Sequence, residues 1–279
     1  MDSSDGCLVD GNRESNSVVQ TQMSTQTARL GLSEVYDTSH ARRGMAIILS
    51  HENFESMKKR DGTRRDREIA VAVLTRLQFD VRVYDDLKCE DLFAELEKLA
   101  GEDHSNSDCL LVMVMTHGDE NVLYAYDDAY RIDRLWDNFL GNRCRTLLGK
   151  PKLFFVQACR GKEFDKGVKL LQMDAANDDN MPQRYIIPTT ADLLVMYSTY
   201  QGHSSWRNTL EGSWFIQALC AELDINGSCM ELLQLLTAVS RRVAYDYQSN
   251  VPQHSIMHAS KQMPCVVSML TKLLYFPRK

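Results

Sequence analysis

The chain has 279 residues, of which 44% are hydrophobic and 25% are charged, and its formal net charge is −6. These values are typical of a globular protein with one large domain or two small ones. The mild acidity and the lack of a long basic stripe argue against nucleic-acid binding. No apolar run approaches the roughly 18 residues of a membrane span, and the N-terminus lacks the apolar core of a signal peptide.

Residues 1–36 are rich in polar side chains and hold too few apolar ones to fold alone, so we predict a disordered N-terminal propeptide there. Strands and helices alternate after it, judged by apolar periodicity. The predicted strands are 45–49, 79–84, 110–115, 153–156 and 192–197, and residues 265–270 form a last strand or start a helix. The predicted helices are 63–78, 89–100, 132–140, 213–223 and 229–245. A polar linker over about 165–184 interrupts the pattern, and a linker of that length is often functional.

This alternation predicts an α/β fold, with a central, mostly parallel sheet and helices on both faces in a three-layer sandwich. Ligands bind such sheets at the carboxyl ends of the strands. His117 and Cys159 each follow the end of a different predicted strand. The fold can therefore bring these two side chains together.

Eight cysteines occur, none in a C-x-x-C pair, and no His/Cys cluster has the spacing of zinc ligands. Most lie in apolar contexts that are typical of buried free thiols, as Cys109 does. Free thiols fit a reducing compartment, so we expect a cytoplasmic protein. The sequence indicates no metal and no cofactor.

Cys159 lies in the segment Gln157-Ala158-Cys159-Arg160-Gly161, directly after an apolar run. A cysteine attacks as its thiolate, and because a free thiol has a pKa near ~8.5, a nearby histidine helps to generate it. His117 is the best candidate, and the N–H groups of Gly118 and Cys159 could hold an oxyanion. Taken alone, His117 could also be a strand-end histidine bonded to a loop carbonyl.

Three further positions bear on substrate specificity. Arg60 lies in a charged turn, Gln157 lies two residues before Cys159, and Arg207 lies in the run Ser205-Trp206-Arg207-Asn208. Two arginines and an amide in one pocket would bind a carboxylate and reject neutral side chains, which leave the donors unpaired. The alternative for the turn at Arg60 is ordinary solvated surface. A protease that cuts after Arg or Lys is disfavoured, because the two arginines would repel such a side chain.

From about Arg43 to Phe276 the chain resembles the caspases, most of all the short-prodomain effector (executioner) caspases. Gln-Ala-Cys-Arg-Gly is a local signature of that family. The other matching motifs are Met115-Thr116-His117-Gly118, Gly149-Lys150-Pro151-Lys152-Leu153-Phe154, Ser205-Trp206-Arg207-Asn208, Gly212-Ser213-Trp214-Phe215 and Lys261-Gln262-Met263-Pro264-Cys265. The resemblance implies a caspase-like fold and a cysteine endopeptidase that cleaves proteins after aspartate during apoptosis.

The resemblance also implies roles for single residues. Cys159 would be the nucleophile, His117 the general acid and base, oriented by a backbone carbonyl, and the N–H groups of Gly118 and Cys159 the oxyanion hole. The substrate-binding residues would be Arg60, Gln157 and Arg207 around the aspartate, Ser205 and Arg207 along the substrate backbone, Trp206 at the next pocket, and Asn208 and Trp214 at the more distant one. Two departures leave specificity open: Ser204 replaces a usual tyrosine, which should widen the pocket beside Trp206, and the loop 248–253 lacks the usual aromatic residues.

Maturation is expected from the same resemblance. Cleavage of the zymogen after Asp174 would separate a large part, 37–174, from a small part, 175–279, with Asp178 and Asp179 as alternatives. Asp10 is a similar candidate for release of the N-terminal segment. Acidic residues are also simply common in linkers, which is the alternative for all of these positions.

The expected partners are protein substrates with exposed aspartate motifs, a second copy in a homodimer of large and small subunit pairs, an upstream activating protease, and protein inhibitors of the active site. Membranes and nucleic acids are not expected as partners. The alternative function is a non-catalytic caspase-like protein that regulates a related protease by dimerising with it. Loss of the histidine, the cysteine or a pocket arginine would indicate that alternative, and all of them are present.

Overall fold

The computed structural model describes residues 33–165 and 188–279. The strands in this part of the chain are β1 (Met45–Ser50), β2 (Asp80–Asp85), β3 (Leu110–Met115), β4 (Gly118–Asp119), β5 (Val122–Tyr124), β6 (Ala129–Arg131), β7 (Lys152–Gln157), β8 (Leu193–Tyr197), β9 (Arg207–Asn208), β10 (Gly212–Ser213) and β11 (Cys265–Ser268). The α-helices are α1 (Thr63–Arg76), α2 (Cys89–Ala100), α3 (Trp214–Asn226) and α4 (Leu232–Asp246).

Six of the strands form one sheet in the order β11-β8-β7-β3-β1-β2. All neighbouring pairs are parallel except β11 with β8, which is antiparallel. Every residue of β1, β3, β7 and β8 is buried, as expected for strands covered on both faces. β2 lies at one edge of the sheet and is partly exposed.

Alternate side chains of the central strands enter two separate apolar layers. Ile48, Met113 and Phe155 belong to the cluster that includes the buried faces of α1, α3 and α4. Ile47 and Phe154 belong to the opposite cluster, which includes α2 and the segment 132–147. The predicted sheet with helices on both faces is therefore confirmed.

Two short 3-10 helices, Ile132–Leu135 and Asp137–Phe139, replace the single helix that we predicted over 132–140. Leu135 and Phe139 are buried against the sheet, so the apolar spacing is real. The first turn of an α-helix is costly to form, and a nine-residue segment adds few further hydrogen bonds to offset that cost. Two short 3-10 helices bury the same side chains. The uncertain segment 265–270 begins as strand β11.

The last four residues of the segment predicted to be disordered, 33–36, are described by the structure. Val35 forms a bridge with Leu273, and the buried Tyr36 donates a 2.6 Å hydrogen bond to Asp192. The rest of that segment and most of the predicted linker lie outside the described residues. Within the described ranges, no helix is long and apolar enough to cross a membrane.

Candidate active site

The ends of β3 and β7 bring the two predicted catalytic segments together. Met115 pairs with Gln157 at the last position of both strands, and the N–H of Thr116 donates to the carbonyl of Gln157 at 3.1 Å. A Cβ atom at Gly118 would lie only 2.6 Å from the carbonyl oxygen of Cys159. The backbones after His117 and at Cys159 are thus in direct contact, and this approach requires glycine at position 118.

The residues around Cys159 are locked by bonds to the segment after β8. The hydroxyl of Ser198 donates to the carbonyl of Ala158 at 2.9 Å and accepts from the N–H of Ala158 at 3.3 Å. Gly161 has φ +147°, and a Cβ atom there would lie 2.1 Å from the carbonyl oxygen of Gly202. The final glycine of the pentapeptide is therefore a steric requirement of this pairing.

His117 is held by a backbone carbonyl. Its Nε2 donates a 2.8 Å hydrogen bond to the carbonyl oxygen of Lys58, since a carbonyl can only accept. In the neutral ring the other nitrogen, Nδ1, is then the proton acceptor. Burial lowers the pKa of His117, the bond to Lys58 opposes this, and the cations Arg60 and Arg207 lower it further. The imidazole is therefore biased toward its neutral, basic form.

The thiol of Cys159 faces the segment that follows β8. The N–H of Ser205 lies 3.4 Å from its Sγ atom, in hydrogen-bonding geometry. Within the described part of the chain, no hydrogen bond joins this sulfur to the His117 ring. The structure therefore holds the His117 ring and the Cys159 sulfur by separate partners, Lys58 and Ser205.

A cationic pocket lies beside the sulfur. Arg60 is buried and donates to Thr63 Oγ1 at 3.0 Å and to the carbonyl of His51 at 3.3 Å. Burial lowers the pKa of Arg60 to about 9, and repulsion from Arg207 adds to the effect. Burial likewise lowers the pKa of Arg207. Two desolvated cations in one place would be stabilised by an anion between them.

Gln157 completes this pocket. Its Nε2 donates to Ser205 Oγ at 2.9 Å, whereas its Oε1 has no hydrogen-bond partner among the described residues. Arg207 Nε is also buried and has no hydrogen-bond partner among the described residues. Orphaned buried polar atoms are costly, so a ligand that supplies their partners would be bound strongly.

Asp66 is a neighbour of the pocket that was not predicted from the sequence. This buried carboxylate accepts hydrogen bonds from the N–H and the hydroxyl of Ser213, at 2.7 and 2.5 Å. Ser213 pairs with Arg207 across β10 and β9, so Asp66 fixes the strand that carries the pocket arginine. An acidic residue in the first turn of a helix is ordinarily explained by its favourable interaction with the helix dipole. The sequence therefore provides no reason to assign Asp66 a role in the pocket.

Aromatic rings form a row along the other side of the site. Trp206 stacks on Trp214 at 5.7 Å, and Trp214 stacks on Tyr247 at 5.4 Å. Phe164 packs against Trp206 at 5.5 Å, so an aromatic ring lies beside Trp206 although residue 204 is serine. Phe164 and Tyr247 were not predicted from the sequence as site residues, because their partners are distant in the chain.

Gln262 joins the aromatic row to the nucleophile segment. Its Oε1 accepts from the N–H of Trp206 at 2.6 Å, and its Nε2 donates to the carbonyl of Ser198 at 2.8 Å. Asn208 instead serves a local turn, since its Oδ1 accepts from the N–H groups of Leu210 and Glu211. The candidate processing residues Asp10 and Asp174 lie outside the described residues.

The family model of the caspase domain matches residues 43–275. The chain belongs to the caspase family. It is 46% identical to caspase drICE of Drosophila melanogaster over 246 residues, covering 88% of this chain and 73% of that protein. It is 44% identical to caspase-7 of Gallus gallus over 250 residues, covering 86% of this chain and 79% of that relative.

A solved structure agrees with these matches. The crystal structure of caspase-1 from Spodoptera frugiperda superposes with a TM-score of 0.82 at 46% identity, covering 88% of this chain and 96% of that one. This caspase is therefore a cysteine-type endopeptidase specific for aspartate, of the apoptotic effector type, and proteins are its substrates. The predictions of family, fold and activity are confirmed.

Proposed function

We propose that Cys159 and His117 carry out the hydrolysis as nucleophile and general acid and base. His117 Nδ1 takes the thiol proton, and the sulfur attacks the carbonyl carbon after the substrate aspartate. The oxyanion is held by the N–H groups of Gly118 and Cys159. Its collapse expels the amine, which receives the proton from His117. Water then attacks the thioester with His117 as base, which releases the acid and restores the thiol.

The observation that carries this proposal is the contact between the Gly118 and Cys159 backbones, made where two buried parallel strands end. In this proposal the two N–H groups and the sulfur share one approach to the substrate carbonyl group. The lowered pKa of His117 keeps its ring ready to accept a proton near neutral pH. The carbonyl of Lys58 leaves Nδ1 as the acceptor.

Specificity for aspartate follows from the cationic pocket. Arg60, Gln157 and Arg207 would bind the carboxylate, and Ser205 and Arg207 would hold the backbone in an extended pose. Trp206 would contact the second substrate residue. Asn208 and Trp214 would contact the fourth.

Arg207→Ala tests the pocket, and Cys159→Ala provides the inactive control. Hydrolysis of an aspartyl fluorogenic peptide should fall by at least about a hundredfold in the Arg207 variant, because the carboxylate loses a buried charged donor. The thermal midpoint is measured in parallel, to show that the protein is folded. Aspartyl cleavage at the wild-type rate by the Arg207 variant would refute the proposed pocket.

Cleavage after Asp174 is proposed to mature the protein, with Asp178 and Asp179 as alternatives and a separate cut after Asp10. Strands β7 and β8 lie on either side of the linker and pair with each other in the sheet, which supports this proposal because the two parts would stay together after the cut. Mass spectrometry of recombinant protein tests it. Wild type should show fragments that Cys159→Ala lacks, and identical masses would exclude self-processing.

Dimeric assembly of large and small subunit pairs is the rule in this family, and we propose a homodimer that acts in the cytoplasm. An upstream protease would make the first cut, and protein inhibitors would compete for the same pocket. Measurement of the molecular mass in solution, before and after processing, tests whether the protein is a homodimer.

A further inference from the structure

A row of exposed cations lies beside the aspartate pocket. It consists of Lys58, Lys59, Arg64 and Arg65, which we call the basic rim, and all four residues are exposed. Asp61 is the single acidic residue within 58–65. The rim is therefore strongly positive locally, although the chain as a whole has a net charge of −6.

The position of the basic rim follows from its backbone contacts. At one end, the carbonyl of Lys58 holds the His117 ring. In the middle, Arg60 turns inward and is buried in the pocket. At the other end, a Cβ atom at Gly62 would lie 2.8 Å from the carbonyl oxygen of Asn208, so the start of α1 packs against strand β9. The basic rim therefore adjoins both the segment that holds the His117 ring and the strand that carries Arg207.

The two arginines of the rim work against the helix that carries them. Arg64 and Arg65 lie in the first turn of α1, where the positive end of the helix dipole disfavours cations. Gly62 provides no side-chain cap, and the one acidic residue of that turn, Asp66, is buried and bonded to Ser213. Helix stability thus does not explain two arginines at these positions.

Their side chains are also available. Among residues 33–165 and 188–279, no hydrogen bond or ion pair engages the guanidinium groups of Arg64 or Arg65. Arg67, one turn further along, is paired with Asp85, and Lys59 is 3.0 Å from Glu52. The unpaired cations are therefore concentrated toward the helix start.

We infer that the basic rim binds an acidic segment of the protein substrate that flanks the cleaved aspartate, outside the residues held by the pocket. This inference rests on the proposed function, because it assumes that substrate passes His117. Complementary charge at such a place accelerates productive encounter and adds selectivity. A polypeptide is favoured over a nucleic acid because no aromatic side chain is interleaved among the rim cations for base stacking.

The test uses the mature protein and the double variant Arg64→Glu with Arg65→Glu. Three substrates share one aspartyl core: a short peptide, a peptide with glutamate-rich flanks, and one with glutamine-rich flanks. For wild type we expect kcat/KM to be about three- to tenfold higher with glutamate than with glutamine flanks at low salt, and the difference to fade at high salt. The double variant should lose or invert this preference while its rate on the short peptide changes less than about twofold.

Two controls separate binding from folding and from bulk charge. Arg145→Glu with Arg241→Glu changes the net charge equally at two exposed positions outside the rim, and should keep the wild-type preference. The rim variant places acids at the positive end of α1, so its thermal midpoint should rise rather than fall. A loss of preference together with higher stability cannot result from unfolding.

A binding measurement makes the inference independent of turnover. In a Cys159→Ala background, fluorescence anisotropy should show the labelled glutamate-flanked peptide binding more tightly than its glutamine counterpart, and Arg64→Glu with Arg65→Glu should remove the difference. Equal binding, or equal kcat/KM with all flanks, would overturn the inference. If a single-stranded oligonucleotide bound at the rim and the acidic peptide did not, the inference would also be overturned. Failure to cleave even the short peptide would count against the proposed function instead.

Discussion

The environment of His117 is built by one loop, residues 51–60, which approaches the ring from two directions. Its Lys58 carbonyl bonds Nε2, and its Phe54 ring packs on the imidazole with centroids 4.7 Å apart. Asp86 fixes the start of this loop by accepting from the N–H groups of Glu52 and Asn53, at 2.7 and 3.0 Å. The loop therefore controls both the orientation and the desolvation of the base.

Phe54→Leu should change the pH dependence of catalysis. Burial is the main reason that the pKa of His117 is lowered, and a smaller side chain admits water, which raises that pKa. The base must be neutral to act, so the acidic limb of the kcat/KM profile should move to higher pH, by about half a unit. Phe93→Leu, in helix α2 and packed on the apolar cluster that includes that helix, is the matched control and should leave the limb in place. An unchanged limb in the Phe54 variant would show that this ring does not contribute to the burial that lowers the pKa of His117.

Asparagine in place of the substrate aspartate tests the pocket charge without a protein mutation. Arg60 and Arg207 are both desolvated, and with a neutral amide as ligand the buried Asp66 remains the main negative charge near them. We expect kcat/KM for the asparaginyl peptide to be lower by at least about a thousandfold, because buried donors reject an unmatched side chain. Paired peptides in one fluorogenic assay give the ratio. A ratio below about ten would mean that solvent screens the two arginines.

At the scale of elements, the nucleophile depends on a pairing between two loops. The N–H of Gly202 donates to the carbonyl of Arg160 at 2.8 Å, and the N–H of Glu163 donates to the carbonyl of Gly202 at 3.0 Å. Gly161 makes this approach possible because it has no Cβ atom. The loop after Cys159 is therefore hydrogen-bonded to the loop at Gly202, which leads to the pocket residue Arg207.

Gly161→Ala should therefore reduce both stability and activity. The added methyl group would lie 2.1 Å from a carbonyl oxygen, so the two loops must separate, and we expect a loss of about 2–4 kcal/mol in the free energy of unfolding. Gly149→Ala is the control: its φ of +71° is also strained for alanine, but nothing lies within 4 Å of the new atom. Its cost should be about 1 kcal/mol, with normal turnover. Urea denaturation and peptide hydrolysis measure both variants, and equal effects would contradict the steric explanation.

How far the sequence predicts these features depends on the distance between partners. The strands β1, β3 and β7 and the helix α2 were predicted almost to the residue, since each has a local apolar pattern. The pentapeptide and the histidine segment located the site in the same way. Asp66 and Tyr247 were not predicted as site residues, and Gln262 was noted in a matching motif without its role, because each acts through a partner far away in the chain. No local pattern encodes such pairings.

At the scale of the whole molecule, the sheet ends in a strand that lacks a second neighbour. β11 pairs with β8 on one side and is the last strand of the described sheet. Val267 in this strand is 44% exposed, and Met263 just before it is 46% exposed. An ordered apolar edge strand invites pairing with another chain. Pairing with its own copy is closed and symmetric, and it would join two six-stranded sheets into one.

Val267→Lys should therefore weaken the proposed homodimer. A lysine on the edge strand carries charge into the interface, and burial of that charge without a partner is costly. Sedimentation velocity over a range of concentrations should show the variant as monomer where the wild type is dimer. Ile225→Lys is the matched control: Ile225 is 65% exposed near the end of α3, so this substitution adds the same charge on a helix and should leave the dimer intact. Dimers of equal strength in both variants would place the interface away from β11.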